Sequence, residues 1–296
     1  MRRSRDDVIF DALNLTLITL FFVIVCYPVY FVLIASISRP SAVATGQIFL
    51  WPKGLNVGGY KAVFGYAQIW LGYRNTVFYT LAGTLLSIFI TLPAAFALSR
   101  KDLAGRGLVT TLFTLTMFFS GGIIPTYMLV RGLGMRNTIW SQIIPSAADF
   151  WYIVIVRTYF QTSVPGELIE AATIDGASWT KTFMRVILPL CTPIIAVLAL
   201  FYGVDKWNSY FAALIYLSNR ALYPLQLILR EILVNNQVSG EARGNELLKL
   251  SMREQMQFVS LIKYAVIVVS TLPVILVYPF LQRYFIRGIM VGAIKG

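Results

Sequence analysis

The chain has 296 residues, of which 57% are apolar and only 13% charged, with a mean hydropathy of +0.71. These values exclude an ordinary soluble globular domain and point to a polytopic membrane protein. The net charge of +12 would suggest nucleic acid in a soluble protein, but here the cations flank apolar runs, where they face water and lipid headgroups; the absence of histidine excludes histidine-based catalysis.

Arg2, Arg3 and Arg5 precede a charge-free run from Ala12 to Ser38, long enough to cross a hydrocarbon core of about 30 Å. The run is too long and too rich in Phe, Ile and Leu for a secretory signal, so it reads as a first span. Its basic start places the N-terminus in the cytoplasm. Residues 39 to 73, punctuated by Pro40, Pro52, Gly54, Gly58 and Gly59 and carrying Trp51 and Tyr60, read as an outer loop with interfacial aromatics. A second charge-free run, Asn75 to Ser99, ends in Arg100, Lys101, Asp102 and Arg106, a short basic loop of cytoplasmic type.

A third span runs from Gly107 to about Val130 and ends among breakers: Gly121, Gly122, Pro125, Gly132 and Gly134. Broken helices survive at membrane depth where protein or a water-filled cavity satisfies the freed backbone groups. This region reads either as a wall of the solute path or as a packing kink at a helix interface. A fourth span, about Asn137 to Val156, would bury Asp149 roughly 18 Å from its start at 1.5 Å per residue. A lone carboxylate there costs on the order of 2.5–3.5 kcal/mol and requires a partner or water. Asp149 then lines the path, or bonds a neighbouring helix, or lies at a helix start displaced by Pro145.

The stretch from Val164 to Pro193 is charged and turn-broken, and lies between two apolar runs. Pro165 opens a helix with Glu167 in its first turn; Leu168, Ala171, Ala172 and Asp175 share a face, and Gly176 supplies a stop. Ser178 can cap a second short helix, in which Phe183, Val186, Ile187 and Leu190 repeat at helical spacing. Two short helices joined at a glycine, outside the membrane, make a docking element. The fifth span, Leu188 to about Ile215, carries Asp205, Lys206, Trp207, Asn208 and Tyr210 about 24 Å from Pro189, near its outer end. Aromatic faces with convergent amide and carboxylate groups suit a sugar; an interfacial aromatic belt is the alternative for Trp207 and Tyr210. Residues 216 to 262 form a polar outer segment, with Leu225, Ile228, Leu229 and Ile232 at helical spacing. The last span, about Tyr264 to Gln282, precedes Arg283, Arg287 and the tail GIMVGAIKG. Six spans put both termini inside. Cys26 and Cys191 both fall within spans, so neither a disulfide framework nor a cysteine metal cluster arises.

Glu170-Ala171-Ala172, Gly176, Val186 and Leu188-Pro189 resemble, at matching spacing, the EAA loop of ABC importer membrane subunits; the one mild departure is Val186, where isoleucine is usual. The run Gly121-Gly122-Ile123-Ile124-Pro125-Thr126-Tyr127 and the Trp207-Asn208 segment are similar to the carbohydrate-uptake branch of those permeases, which handles oligosaccharides and includes alginate-type importers. The resemblance implies an all-α type I ABC importer permease fold, a single transmembrane domain over 1–296 with core spans at about 75–283 and a coupling loop at 164–189. It implies ATPase coupling through Glu170, Ala171, Ala172, Asp175, Gly176, Ala177 and Pro189. Asp149, Asp205, Trp207, Asn208 and Tyr210 are the candidate path residues. Implied partners are a second homologous permease, two ATPase subunits, an extracytoplasmic solute-binding protein, an oligosaccharide and membrane lipid, in a bacterial inner membrane, with no nucleic acid. No cofactor is expected on this chain: it lacks a G-x-x-x-x-G-K-[ST] phosphate loop, so ATP and Mg2+ belong to the partner. An ion-driven transporter would want intramembrane carboxylates, for which Asp149 alone qualifies, and an intramembrane enzyme would want a nucleophile-base or metal constellation, which is missing.

Overall fold

A computed structural model describes residues 5–238, 262–280 and 282. Among them there is no strand, and the chain divides into two compact units, Met1–Ala67 with Leu229–Leu272 and Gln68–Ile228 with Pro273–Gly296. In the first unit, α1 (Arg5–Ser36) leads through α2 (Pro40–Ala44) to α3 (Gly58–Gly65). Most of α1 stays exposed, including Phe10, Phe21 and Phe22 at 63–70%, so this helix is apolar all round and suited to lipid or a partner subunit. Only its end is packed, where Ile34 meets Ala42 and Ile48 and the Ser36 and Tyr60 hydroxyls share a hydrogen bond of 2.7 Å.

The second unit is built on α4 (Ala67–Ser99), followed by α5 (Arg106–Phe118), α6 (Ile123–Gly132), α7 (Trp140–Ile143) and α8 (Phe150–Ser163). The turn-broken stretch forms α9 (Gly166–Ile174), α10 (Trp179–Thr182), a π-helical turn (Phe183–Ile187) and α11 (Leu188–Leu190). Next come α12 (Thr192–Asn208), α13 (Phe211–Tyr216), α14 (Leu225–Val238) and α15 (Ile262–Phe280). The core joins Leu92, Phe96 and Leu98 of α4 to Phe150, Val156 and Phe160 of α8 and to Ile194, Leu198 and Tyr202 of α12.

Several spans differ from the pattern expected from apolar runs. The second begins eight residues early, at Ala67, and Asn75 and Thr76 lie within it as clasps: Asn75 Nδ2 donates to the Ala221 and Tyr223 carbonyls at 2.8 and 3.0 Å, and Thr76 Oγ1 accepts from Leu225 N at 2.8 Å. A Cβ at Gly72 would come within 2.6 Å of the Ile228 side chain and 3.1 Å of the Leu225 backbone, so only glycine permits this approach. The third span bends by 115° between α5 and α6, where Gly122 takes φ +81°. The fourth is not one helix from Asn137. After the four-residue α7, Pro145 has no N–H with which to continue the helical ladder, although Ile144 before it keeps helical backbone angles. The helix restarts at Phe150 with Asp149 as its cap. The fifth bends by 82° at Cys191 and ends at Asn208 rather than Ile215. Among the described residues, three helices are long and apolar enough to cross a membrane, or up to five if each bent pair is one span. The expected C-terminal tail and residues 239–261 of the outer segment lie outside the described residues.

Candidate functional site

The turn-broken stretch folds as two helices at an angle fixed by one glycine. Pro165 is the N-cap of α9 rather than its first residue, with Glu167 in the first turn. At the other end, Ala177 N donates to the Ala172 carbonyl at 2.9 Å and Gly176 N to Thr173 at 3.0 Å, with Gly176 at φ +71°. This pair of bonds is the Schellman ending, which satisfies terminal carbonyls and needs a left-handed residue. Ser178 then accepts from Lys181 N at 3.4 Å and caps α10.

The exposed face of α9 differs from the expected one in one position. Ala172 is buried, with Ile169 packed on the core beside it, so it faces inward; Glu170, Ala171 and Asp175 stay exposed. Ile174, at 86% exposure, is an apolar side chain presented with no cover. Glu170 has no ion pair among the described residues. The second half of the stretch is rooted: Phe183, Ile187 and Cys191 are buried in the core, and the Phe183 ring lies 5.1 Å from Phe96, itself 5.8 Å from Phe160. Arg100, at the end of α4, sits 4.7 Å over the Trp179 ring while Asp102 accepts from its Nε at 3.1 Å. Movement of α9 and α10 must therefore act on α4, α8 and α12, because close-packed side chains transmit displacement. Pro189 is exposed, within α11.

At the opposite end of α12, the expected path residues separate into two groups. Asp149 and Asp205 come together around Tyr152: Tyr152 donates to Asp205 Oδ2 at 2.7 Å, and both carboxylates act electrostatically on Tyr152 and Tyr202. The Asp149 carboxylate is a helix cap, accepting from Trp151 N at 2.8 Å, and not a lone charge at the centre of a span. Asn208 and Tyr210 are exposed at the end of the helix. Trp207 points elsewhere: it is 7% exposed, packs edge-on against Tyr73 at 6.1 Å, and lines an apolar groove of about 590 Å3 between α4 and α12. Its ring is thus packed at the helix end rather than exposed beside Asn208 and Tyr210.

The partner of Lys206 and the ring cluster of Tyr152 and Tyr202 were missed by pattern. Lys206 is buried, with its ammonium donating to the Ser146 carbonyl at 2.8 Å and to Ser146 Oγ. Its stem passes Gly83, where a Cβ would lie 3.1 Å from Lys206 Cε. Tyr152 stacks on Phe201 at 5.8 Å and meets Tyr202 edge-on at 4.6 Å, while Tyr202 and Thr91 share a 2.7 Å bond. The signal available was the Asp205-Lys206 pair late in an apolar run, but Ser146 and Tyr152 could be matched to it only in three dimensions. Among the described residues no group of three or more His, Cys, Asp or Glu is placed to hold a metal ion.

Comparison with known proteins agrees with this architecture. The chain is 35% identical over 296 residues to Protein LplC of Bacillus subtilis (strain 168), covering 100% of this chain and 98% of that one. It is 37% identical over 290 residues to the polygalacturonan/rhamnogalacturonan transport system permease protein YtcP of the same organism, covering 97% and 99%. Among solved structures it matches a chain of a bacterial ABC transporter involved in the import of the acidic polysaccharide alginate, with a TM-score of 0.83, 32% identity, and 96% and 99% of the two chains covered. The profile of one family matches residues 67–291, from the start of α4 past the end of α15. The chain belongs to the family of binding-protein-dependent transport system inner membrane components.

Proposed function

We propose that this chain is one of two homologous membrane subunits of an ABC importer, passing an oligosaccharide handed over by an extracytoplasmic binding protein and driven by two cytoplasmic ATPase subunits. The observation that carries this reading is the asymmetry of the 164–190 stretch: Glu170 and Ile174 are presented outward while Phe183 and Ile187 are anchored in the bundle core. A cleft on an ATPase that receives α9 would thereby hold a lever. Glu170, Ala171, Asp175, Gly176, Ala177 and Pro189 act at or beside that contact, and Ala172 supports it from within. The chain works as one permease with six spans, the fourth made of α7, its connector and α8, and with both termini cytoplasmic in a bacterial inner membrane. It binds no cofactor itself; ATP and Mg2+ reside on the ATPase.

The sugar path runs past Asp149, Asp205, Asn208 and Tyr210, which offer exposed acceptors, an amide and a ring at one end of α12. The named relatives make oligogalacturonides the first probes. In vesicles containing both permeases, the ATPases and the binding protein, labelled oligosaccharide should accumulate only with ATP, and Asn208→Ala with Tyr210→Ala should raise the KM for uptake about tenfold while ATPase content is unchanged; losing one bond to a sugar hydroxyl costs about 0.5–1.5 kcal/mol. ATP-independent accumulation driven by an ion gradient would refute the reading, and wild-type KM in the double variant would move the path off this helix end.

A further inference from the structure

Helices α5 and α8 carry one cation each and no carboxylate, and the geometry brings those cations together. The Phe113 and Phe150 rings stack at 5.4 Å. Seven residues from that pair, in opposite senses along the two helices, lie Arg106 and Arg157, each displaced about 10 Å at 1.5 Å per residue. They come level, and Arg106 acts electrostatically on Arg157. Two like charges on facing helices repel unless an anion lies between them.

Neither guanidinium has an ion pair or hydrogen bond among the described residues, and Arg157 Nε is buried without an acceptor. Thr110, one turn beyond Arg106, likewise holds a buried hydroxyl with no partner. The nearest acid in sequence, Asp102, is taken by Arg100 at 3.1 Å, and Asp149 caps the opposite end of α8. Unsatisfied buried donors are costly, so this arrangement calls for an external acceptor. The place also selects the kind of acceptor. Phe113 and Met117, at i+7 and i+11 from Arg106, share its face of α5 and remain 46% and 39% exposed. They form an apolar track leading from the cations.

We propose that Arg106 and Arg157, with the Thr110 hydroxyl, bind the phosphate of an anionic phospholipid whose chain lies along Phe113 and Met117. Guanidinium groups suit this ligand, since their planar forks match phosphate oxygens in pairs. The site is a cytoplasmic-leaflet one, because Arg106 opens α5 directly after the basic loop 100–106. The test is lipid retention by native mass spectrometry of the complex purified through this chain, incubated with phosphatidylglycerol or phosphatidylcholine. It reads binding and not uptake, so it stands apart from the transport reading. Wild type should retain phosphatidylglycerol preferentially, and Arg106→Gln and Arg157→Gln should each lower that retention about fivefold, the effect of one basic residue at an anionic surface. Arg106→Gln changes a half-buried position in the first turn of α5, outside the core, and keeps the test valid should the other variant fold poorly. Excess inorganic phosphate should not displace the lipid. Equal retention of the two lipids, unchanged retention in Arg106→Gln, displacement by inorganic phosphate, or a cross-link from position 157 to a carboxylate of a neighbouring subunit would each overturn the proposal.

Discussion

Replacing Gly176 by valine should abolish transport while the protein still inserts in the membrane. Gly176 holds φ +71° at the end of α9, and an added Cβ would meet nothing within 4 Å. Space therefore does not limit the site; backbone conformation does. A β-branched residue in left-handed geometry costs about 1–3 kcal/mol, roughly fivefold to more than a hundredfold in an equilibrium. The local escape is to unwind the Schellman bonds to Ala172 and Thr173, which changes the angle between α9 and α10 and so misdirects Glu170 and Ile174. Asparagine tolerates the left-handed region, so Gly176→Asn should restore most of the activity. Uptake in cells expressing each variant at equal membrane level checks this; wild-type uptake with valine, or no recovery with asparagine, would remove the turn from the mechanism.

The second large effect is expected at Lys206. Burying an ammonium costs several kcal/mol, and two charge-assisted hydrogen bonds to Ser146 offset this by about 1.5–3 kcal/mol each, so the residue is close to neutral for stability. Methionine preserves its unbranched volume beside Gly83, and such swaps usually change stability by less than about 1.5 kcal/mol. What Lys206→Met removes is the bolt between α12 and the connector at Ser146, three residues before the Asp149 cap. Asp149 and Asp205 would no longer be held together around Tyr152. Uptake should fall on the order of tenfold, as expected for losing about one charge-assisted bond, with the thermal midpoint and the ATPase content of the complex unchanged. A drop in thermal midpoint that accounts for the lost uptake would make Lys206 a structural residue alone.

Much of this was legible in the sequence, and the reason differs from region to region. Local rules wrote the turn-broken stretch at 164–193: glycine at the left-handed position, serine as cap, apolar residues at helical spacing, so Gly176, Ser178, Phe183 and Ile187 stand in the structural positions their types imply. The long apolar helices α1, α4 and α15 were visible from composition. What hydropathy could not give is where an apolar run breaks. Pro145 marked one candidate break, but the points at which the helices restart, Phe150 after the Asp149 cap and Thr192 after Cys191, depend on caps and tertiary contacts. Asn75 and Thr76 read only as the start of an apolar run because their partners, Ala221, Tyr223 and Leu225, lie some 150 residues away. Trp207 misled for a related reason: a tryptophan beside asparagine near a helix end fits a sugar platform or an aromatic belt equally well, and only the position of Tyr73 shows that its ring is committed to packing.

The account turns on whether α9 is the contact through which an ATPase drives this bundle. The most direct measurement is the amount of ATPase that copurifies with this chain when Glu170 is wild type and when it is Glu170→Lys. A carboxylate paired in a partly desolvated cleft contributes such that its loss costs about 2–5 kcal/mol, thirtyfold or more in affinity. Wild-type complexes should carry ATPase, and complexes bearing Glu170→Lys should lose nearly all of it while retaining the second permease. ATPase content at the wild-type level in the variant, with substrate-stimulated hydrolysis intact, would contradict the account and leave α9 and α10 as a helix pair lying at the membrane surface.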